Sequence, residues 1–285
     1  MSNLKFRELN EAVGAQVEGL DPSVPLNDEE IAQLRAAFYD RGALVFRDLD
    51  IDEDYQRYLL YTLIGEEPQP PERKEPMLVS NKEKDGAAPY GRLLFHCDAM
   101  WSEAPQPAIS LYGVAVEPPN APTLFISMEH GWNTLPEHLR ERVKGLEARH
   151  GFDEAYPNRG GDADVLDGRM TEPRSVVRPV AYRHPHTGRE LLYVSQQATI
   201  EIMGLSHDEN EELLEELFEH LYKPEFVLSH DWRKGDLVIW DNIVTQHGRG
   251  TVALNGPVRT LRKVIGPMRT PSSVRPMYSK AAARG

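Results

Sequence analysis

The chain has 285 residues, 40% of them hydrophobic, enough to bury a sizeable core, and its formal net charge is −13. That acidity argues against a nucleic-acid groove or an anionic membrane surface, while leaving room for a local basic pocket. The lone Cys97 excludes an intramolecular disulfide and suits a reducing compartment. No apolar run is long enough to span a bilayer, and the opening Met1-Ser2-Asn3-Leu4-Lys5 lacks the apolar stretch of a signal peptide. A cytoplasmic protein with no nucleic-acid or membrane partner is expected.

In chain order, residues 5–8 and 15–18 read as short strands. Pro25 to Glu30 opens a helix, with Asn27 as its cap and Glu30, three residues on, completing a capping box. Ile31, Leu34, Ala37 and Phe38 form its apolar stripe, and Gly42 stops it. Residues 43–46 are a buried strand, and 53–63 a second helix ended near Gly65. Residues 66–91, rich in Pro, Glu and Lys, read as a long connection. Strands follow at 93–96, at 108–116 with period-two alternation, and at 123–127.

Residues 135–146 hold a helix and 147–152 return to a sheet. Residues 153–175 read as a mobile loop over the site. Residues 175–182 and 190–195 form a hairpin joined by His184-Pro185-His186-Thr187-Gly188-Arg189. A helix over 208–222 is capped by Ser206 with Glu209 three residues on. Residues 225–229, 236–240 and 260–265 complete the sheets, and 269–285 read as a C-terminal tail. The pattern is mainly β with flanking helices. It predicts a double-sheet jelly-roll (double-stranded β-helix) core in one domain over residues 1–268, with insertions near 66–91 and 153–175.

The chemistry concentrates in His96-Cys97-Asp98 and, far downstream, His247. Two imidazoles and one carboxylate are the ligand set of a non-haem Fe(II) centre with open positions. Residues two apart on a strand share a face, about 7 Å apart, so His96 and Asp98 can converge on one ion while a neighbouring strand brings His247. Arg259, twelve positions after His247, suggests what fills two open positions. A ketoacid can chelate the metal while its far carboxylate pairs with the guanidinium, leaving the last position to O2. With ten His and 45 acidic residues, one His-x-Asp pair arises easily by chance, so the combination carries the weight. His184 and His186, similarly spaced, read as a hairpin turn.

The chain resembles the taurine dioxygenase/phenoxyacetate dioxygenase (TauD/TfdA) family of Fe(II)/2-oxoglutarate-dependent dioxygenases from about residue 4 to residue 268. The likeness is carried by Gly14-Ala15-Gln16-Val17-Glu18-Gly19-Leu20-Asp21, by Arg41-Gly42-Ala43-Leu44-Val45-Phe46-Arg47, and by His184 to Val194. It is carried also by Trp232-Arg233-Lys234-Gly235-Asp236-Leu237-Val238-Ile239-Trp240-Asp241-Asn242, which leads into His247. The resemblance implies His96, Asp98 and His247 as catalytic metal ligands. It implies Arg259 and Thr123 as the pair on the distal carboxylate of 2-oxoglutarate, with Arg262 a competing anchor. The implied enzyme is an oxidoreductase that consumes 2-oxoglutarate and O2, oxidises a C–H bond of a small molecule, and releases succinate and CO2.

Three departures bear on the substrate. Asn120-Ala121-Pro122 stands where the family often has Gly-Gly-Asp. Lys263 stands where some members carry a second Arg for an anionic substrate. The taurine enzyme's substrate-binding His and Tyr have no match in residues 65–73. A small anionic substrate other than taurine is expected. Asp98 favours hydroxylation or desaturation over halogenation, because halogenating relatives lack this carboxylate.

Arg92 could bind an anion in the pocket or be solvated. Trp101 could wall the pocket or pack in the core. Lys263 could pair with substrate or lie in solvent. Cys97 should point away from the ligands as a small hydrophobe, and Asp241 with Asn242 should support the turn before His247. A homo-oligomer is expected on general grounds. Two alternatives stand beside this reading: a Zn(II) metallohydrolase with the same triad, and a non-catalytic relative that binds metal or ketoacid. Arg259 with Thr123 argues against the first, and the intact triad against the second.

Overall fold

A computed structural model describes residues 2–70, 75–151 and 175–268. The N-terminal part runs β1 (Lys5–Glu8), β2 (Ala15–Glu18), α1 (Asp28–Arg41), β3 (Ala43–Phe46) and α2 (Glu53–Ile64). Then come β4 (Met77–Ser80), β5 (Gly91–His96), β6 (Ala108–Val116), β7 (Thr123–Ser127), α3 (Met128–Asn133), α4 (Glu137–Val143) and β8 (Glu147–Gly151). The last part holds β9 (Ser175–Pro179), β10 (Ala181–Arg183), β11 (Glu190–Leu192), β12 (Thr199–Ile202) and α5 (His207–Leu221). It ends with β13 (Leu228–His230), β14 (Leu237–Asp241), β15 (Thr245–Val252) and β16 (Arg259–Ile265).

Period-two patterning sorts these strands into layers. Ala43, Val45, Ile109, Leu111, Val238 and Trp240 pack with Phe125 of β7 in one buried cluster. The alternate residues Leu44, Phe46, Ala108, Tyr112, Leu237 and Ile239 pack instead with Leu34 and Phe38 of α1 and Leu59 and Leu63 of α2. In the larger sheet, ordered β1-β2-β3-β14-β6-β16-β4, the central strands β3, β14 and β6 are therefore packed on both faces, while β1 is exposed. The smaller sheet, β13-β7-β15-β5, faces its inner side. Behind the smaller sheet, Leu213, Leu214 and Leu217 of α5 pack with Ile126, Val143 and Leu191. The result is the double-sheet jelly roll with helices outside.

The helix signals act as read. Asn27 Oδ1 accepts the Glu30 N–H at 3.0 Å, and the Glu30 carboxylate accepts the Asn27 N–H at 3.0 Å. Gly42 ends α1 at φ 70°. A Cβ there would lie 2.6 Å from Thr245 Oγ1, so both the conformation and the space demand glycine.

Several elements differ from the sequence reading. The 66–91 connection contains β4, which pairs with β16 from Thr260↔Ser80 to Lys263↔Met77; its short apolar run is masked by polar flanks. Residues 245–252 form β15, and 199–202 form β12, neither read as strands. The expected 175–182 strand divides after Pro179: β9 pairs with β8, and β10 with β11. The 135–146 helix shortens to α4, with α3 preceding it on a Ser127 cap. The 153–174 part of the expected loop and the tail 269–285 lie outside the described residues. No helix among the described residues is long and apolar enough to cross a membrane.

A candidate metal centre with a buried cation beside it

His247 of β15 and His96 of β5 are register partners, and their rings sit 4.2 Å apart between centroids. Asp98 is not on the strand. β5 ends at His96, and Asp98 lies in the turn that follows, next to Ala99 at φ 58°. The expected convergence of His96 and Asp98 on one strand face is corrected: the turn folds the carboxylate back. Asp98 Oδ1 lies 3.3 Å from His96 Nε2 and 3.9 Å from His247 Nε2. One ligand atom from each residue falls within a 4.8 Å cluster.

Neighbouring groups prepare these atoms. His96 Nδ1 donates to Leu94 O at 2.7 Å, so in the neutral ring Nε2 keeps its lone pair for a metal. Asn242 clamps Asp98 from both sides, accepting its N–H at 3.0 Å and donating to its carbonyl at 2.9 Å. Asp241 Oδ1 accepts the Ile243 N–H at 2.9 Å, and its Oδ2 accepts from His184 Nε2 at 2.9 Å. His184 Nδ1 accepts from the N–H groups of His186 and Thr187, which sets that tautomer. A Cβ on Gly248 would lie 3.2 Å from Leu93 O, tight against β5. Cys97 is buried in the cluster behind the smaller sheet, its Sγ 3.7 Å from Thr245 O.

The site is electrostatically biased toward a cation. Burial pushes the Asp98 carboxyl up, but Lys263, His96 and His247 outweigh it and hold it well below its ordinary range. Burial, reinforced by His96, pushes His247 well below the usual imidazole value, keeping it neutral as a ligand must be. The donor set, with the His247 imidazole neutral and the Asp98 carboxylate ionised, fits a divalent metal. Lys263 hydrogen-bonds Asp98 Oδ2, leaving Oδ1 toward the imidazoles.

Arg259 is 3% exposed. Its Nε donates to Ala121 O at 3.0 Å and its Nη2 to Thr123 Oγ1 at 3.1 Å. Among the described residues no carboxylate pairs with it. Burial, with Arg249 nearby, pulls the guanidinium down to about 9. Since guanidinium stays protonated in proteins, the physical meaning is a buried cation in want of an anion. Arg259, Thr123 and the triad line one cavity of about 400 Å³.

The remaining sequence candidates divide. Trp101 and Lys263 line the cavity. Arg262 does not: it lies three residues from Arg259 and so on the opposite face of β16. There it donates to Gln56 Oε1 at 2.8 Å and Ile51 O at 3.0 Å, and covers the Tyr112 ring. Arg92 is exposed and outside the cavity. The register of β5 against β15 passes from His96↔His247 to Leu93↔Arg249, a bulge that turns Leu93 rather than Arg92 inward.

Three contributors were missed. Arg249 lines the cavity and donates to Ala88 O and Tyr90 O, each at 2.8 Å; its place two residues after His247 on a strand was the available signal. Asn81 accepts the Arg259 N–H at 2.9 Å. Trp232 Nε1 donates to Thr123 Oγ1 at 2.9 Å. Asn81 had no local signal; Trp232 opens the motif that leads into His247, but nothing in that motif tied it to Thr123.

Comparison with known proteins agrees with this geometry. The sequence profile of the taurine catabolism dioxygenase TauD, TfdA family matches residues 5–265. Pentalenolactone F synthase of Streptomyces avermitilis is 27% identical, covering 89% of this chain and 90% of that protein. The alpha-ketoglutarate-dependent 2,4-dichlorophenoxyacetate dioxygenase of Cupriavidus pinatubonensis is 27% identical over 84% of this chain and 89% of its own. The crystal structure of AAD-2 in complex with Mn(II) and N-oxalylglycine superposes with TM-score 0.75 at 26% identity, covering 94% of this chain and 99% of that one.

Proposed function

Because this chain belongs to the taurine catabolism dioxygenase TauD/TfdA family, we propose that it oxidises a C–H bond of a small organic acid, by hydroxylation or desaturation, with release of succinate and CO2. The chain is an oxidoreductase that uses Fe(II), 2-oxoglutarate and O2. When bound, the iron supplies the oxidative decarboxylation of 2-oxoglutarate by O2 that makes C–H oxidation accessible.

The residues divide that work as follows in our reading. His96, Asp98 and His247 hold the metal. Arg259 and Thr123 take the distal carboxylate of 2-oxoglutarate and orient the ketoacid. Lys263 holds Asp98 Oδ2. Trp101, Leu93, Leu111 and Met77 wall the substrate space and exclude water. The observation that carries this reading is the buried Arg259, without a carboxylate partner among the described residues, in the same cavity as the triad. A zinc hydrolase would leave that cation without use.

An acidic substrate is supported by the cavity's charge. A chain of net charge −13 brings Arg249 to the cavity in addition to Arg259, which takes the ketoacid in this reading, and Lys263, which holds Asp98. One relative is named for 2,4-dichlorophenoxyacetate, a carboxylate. The proposal extends to a single catalytic domain over residues 1–268 and a cytoplasmic homo-oligomer, which limited proteolysis, cell fractionation and sedimentation velocity test.

The deciding experiment is anaerobic titration of the metal-free protein with Fe(II), then 2-oxoglutarate. A weak visible charge-transfer band should appear, and should vanish in His247→Ala. Succinate release then screens small carboxylates as substrates. No band, with Zn(II) retained in preference to Fe(II), would overturn the proposal.

A further inference from the structure

The Thr123 hydroxyl meets two donors. Trp232 Nε1 donates to its oxygen at 2.9 Å and Arg259 Nη2 at 3.1 Å. A hydroxyl has two lone pairs and one hydrogen, while indole N–H and guanidinium can only donate. With both lone pairs engaged, the hydrogen must point elsewhere. Among the described residues no acceptor takes it, although Thr123 is 3% exposed. A buried O–H without an acceptor is costly, and this one belongs to a residue lining the cavity beside Arg259.

We infer that Trp232 is a positioning residue: its indole N–H fixes the Thr123 hydroxyl as a donor toward an anion held by Arg259. This rests on the reading that the anion is the distal carboxylate of 2-oxoglutarate. Trp232 does not line the cavity. It is 3% exposed in the cluster between the sheets, with the His230 ring edge-on at 4.6 Å and its carbonyl accepting from Asn120 Nδ2 at 3.3 Å. The indole is thus locked before ligand arrives. Without its N–H, the hydroxyl can rotate and present a lone pair to the carboxylate, which repels it.

The test is calorimetric titration of the Mn(II)-loaded, anaerobic protein with 2-oxoglutarate and with oxalate, a chelator that lacks the distal carboxylate. Wild type is compared with Trp232→Phe, Thr123→Val and the double variant. Trp232→Phe should weaken 2-oxoglutarate about fivefold, leave oxalate unchanged, and cost nothing further in the Thr123→Val background. Equal weakening of both ligands, an equal loss in both backgrounds, or no loss where Thr123→Val shows one would overturn the inference. If Thr123→Val and Arg259→Met both leave 2-oxoglutarate affinity intact, the anchor reading itself fails instead. Should Trp232→Phe not fold, benzothienylalanine at this position, isosteric with Trp but lacking the N–H, supplies the same comparison.

Discussion

Lys263 and Asp98 bridge the two sheets. Asp98 comes from the turn after β5 of the smaller sheet, Lys263 from β16 of the larger. The ammonium bonds Oδ2, while Oδ1 faces the two imidazoles at 3.3 and 3.9 Å. The cation that sequence comparison suggests for substrate is therefore engaged by a candidate metal ligand.

This pairing predicts a metal-dependent stability defect. In Lys263→Met, the largely buried Asp98 carboxylate loses its cation, and the metal-free protein should lose about 1–2 kcal/mol. Saturating Mn(II) supplies a replacement charge and should close most of the gap. Urea denaturation with and without Mn(II) measures this, and an equal deficit in both conditions would count against the pairing as described.

The two arginines of β16 should behave oppositely. Arg259→Met should weaken 2-oxoglutarate roughly 100-fold or more, as loss of a buried ion pair does, with Mn(II) affinity unchanged. Arg262→Ala should leave 2-oxoglutarate affinity within about twofold while costing about 1–2 kcal/mol of stability through its bonds to Gln56 and Ile51. A loss of 2-oxoglutarate affinity in Arg262→Ala larger than in Arg259→Met would reverse the assignment.

Asn242 contacts no ligand atom, yet it holds the backbone on both sides of the Asp98 Cα. Asn242→Ala should lower Mn(II) affinity about tenfold, the scale typical of groups that orient metal ligands. Unchanged affinity, read by competition with a chelating dye, would show that the turn holds itself.

Stability should fall with acid partly through His150. It is fully buried, its Nε2 has no hydrogen-bond partner among the described residues, and burial together with Arg178 lowers it from 6.5 to about 3. Between those values the unfolded chain binds the proton and the folded one does not, so stability rises with pH. This contribution is complete above about pH 6.5 and is lost progressively as pH falls toward 3, at up to about 1.4 kcal/mol per pH unit. His150→Leu should flatten the slope of unfolding free energy between pH 7 and 5 by that amount. An unchanged slope would place the acid sensitivity elsewhere.

Much of the larger sheet was legible because its strands alternate residues between two apolar layers, as in Ala43-Leu44-Val45-Phe46. β15 was not, although it carries His247. Its Thr-Gln-His-Gly-Arg-Gly-Thr-Val has almost no apolar pattern, and its identity comes from pairing with β5 and β7. In the site, period two already separates Arg259 from Arg262. The same rule fails for Arg92, because a bulge between β5 and β15 intervenes. Trp232 and Asn81 act on residues 109 and 178 positions away.

Residue types and their spacing by themselves determined the chemistry on offer: two imidazoles, a carboxylate, a hydroxyl and a guanidinium in the order of a known family. The layering of the larger sheet was equally inscribed, since hydrophobic period is a local property of the chain. Which atoms meet was decided only by tertiary structure: the turn that returns Asp98 to His96, the bulge that turns Arg92 outward, and the bond from Lys263 to Asp98. Those depend on strand register and on side chains arriving from distant segments, which no local pattern encodes.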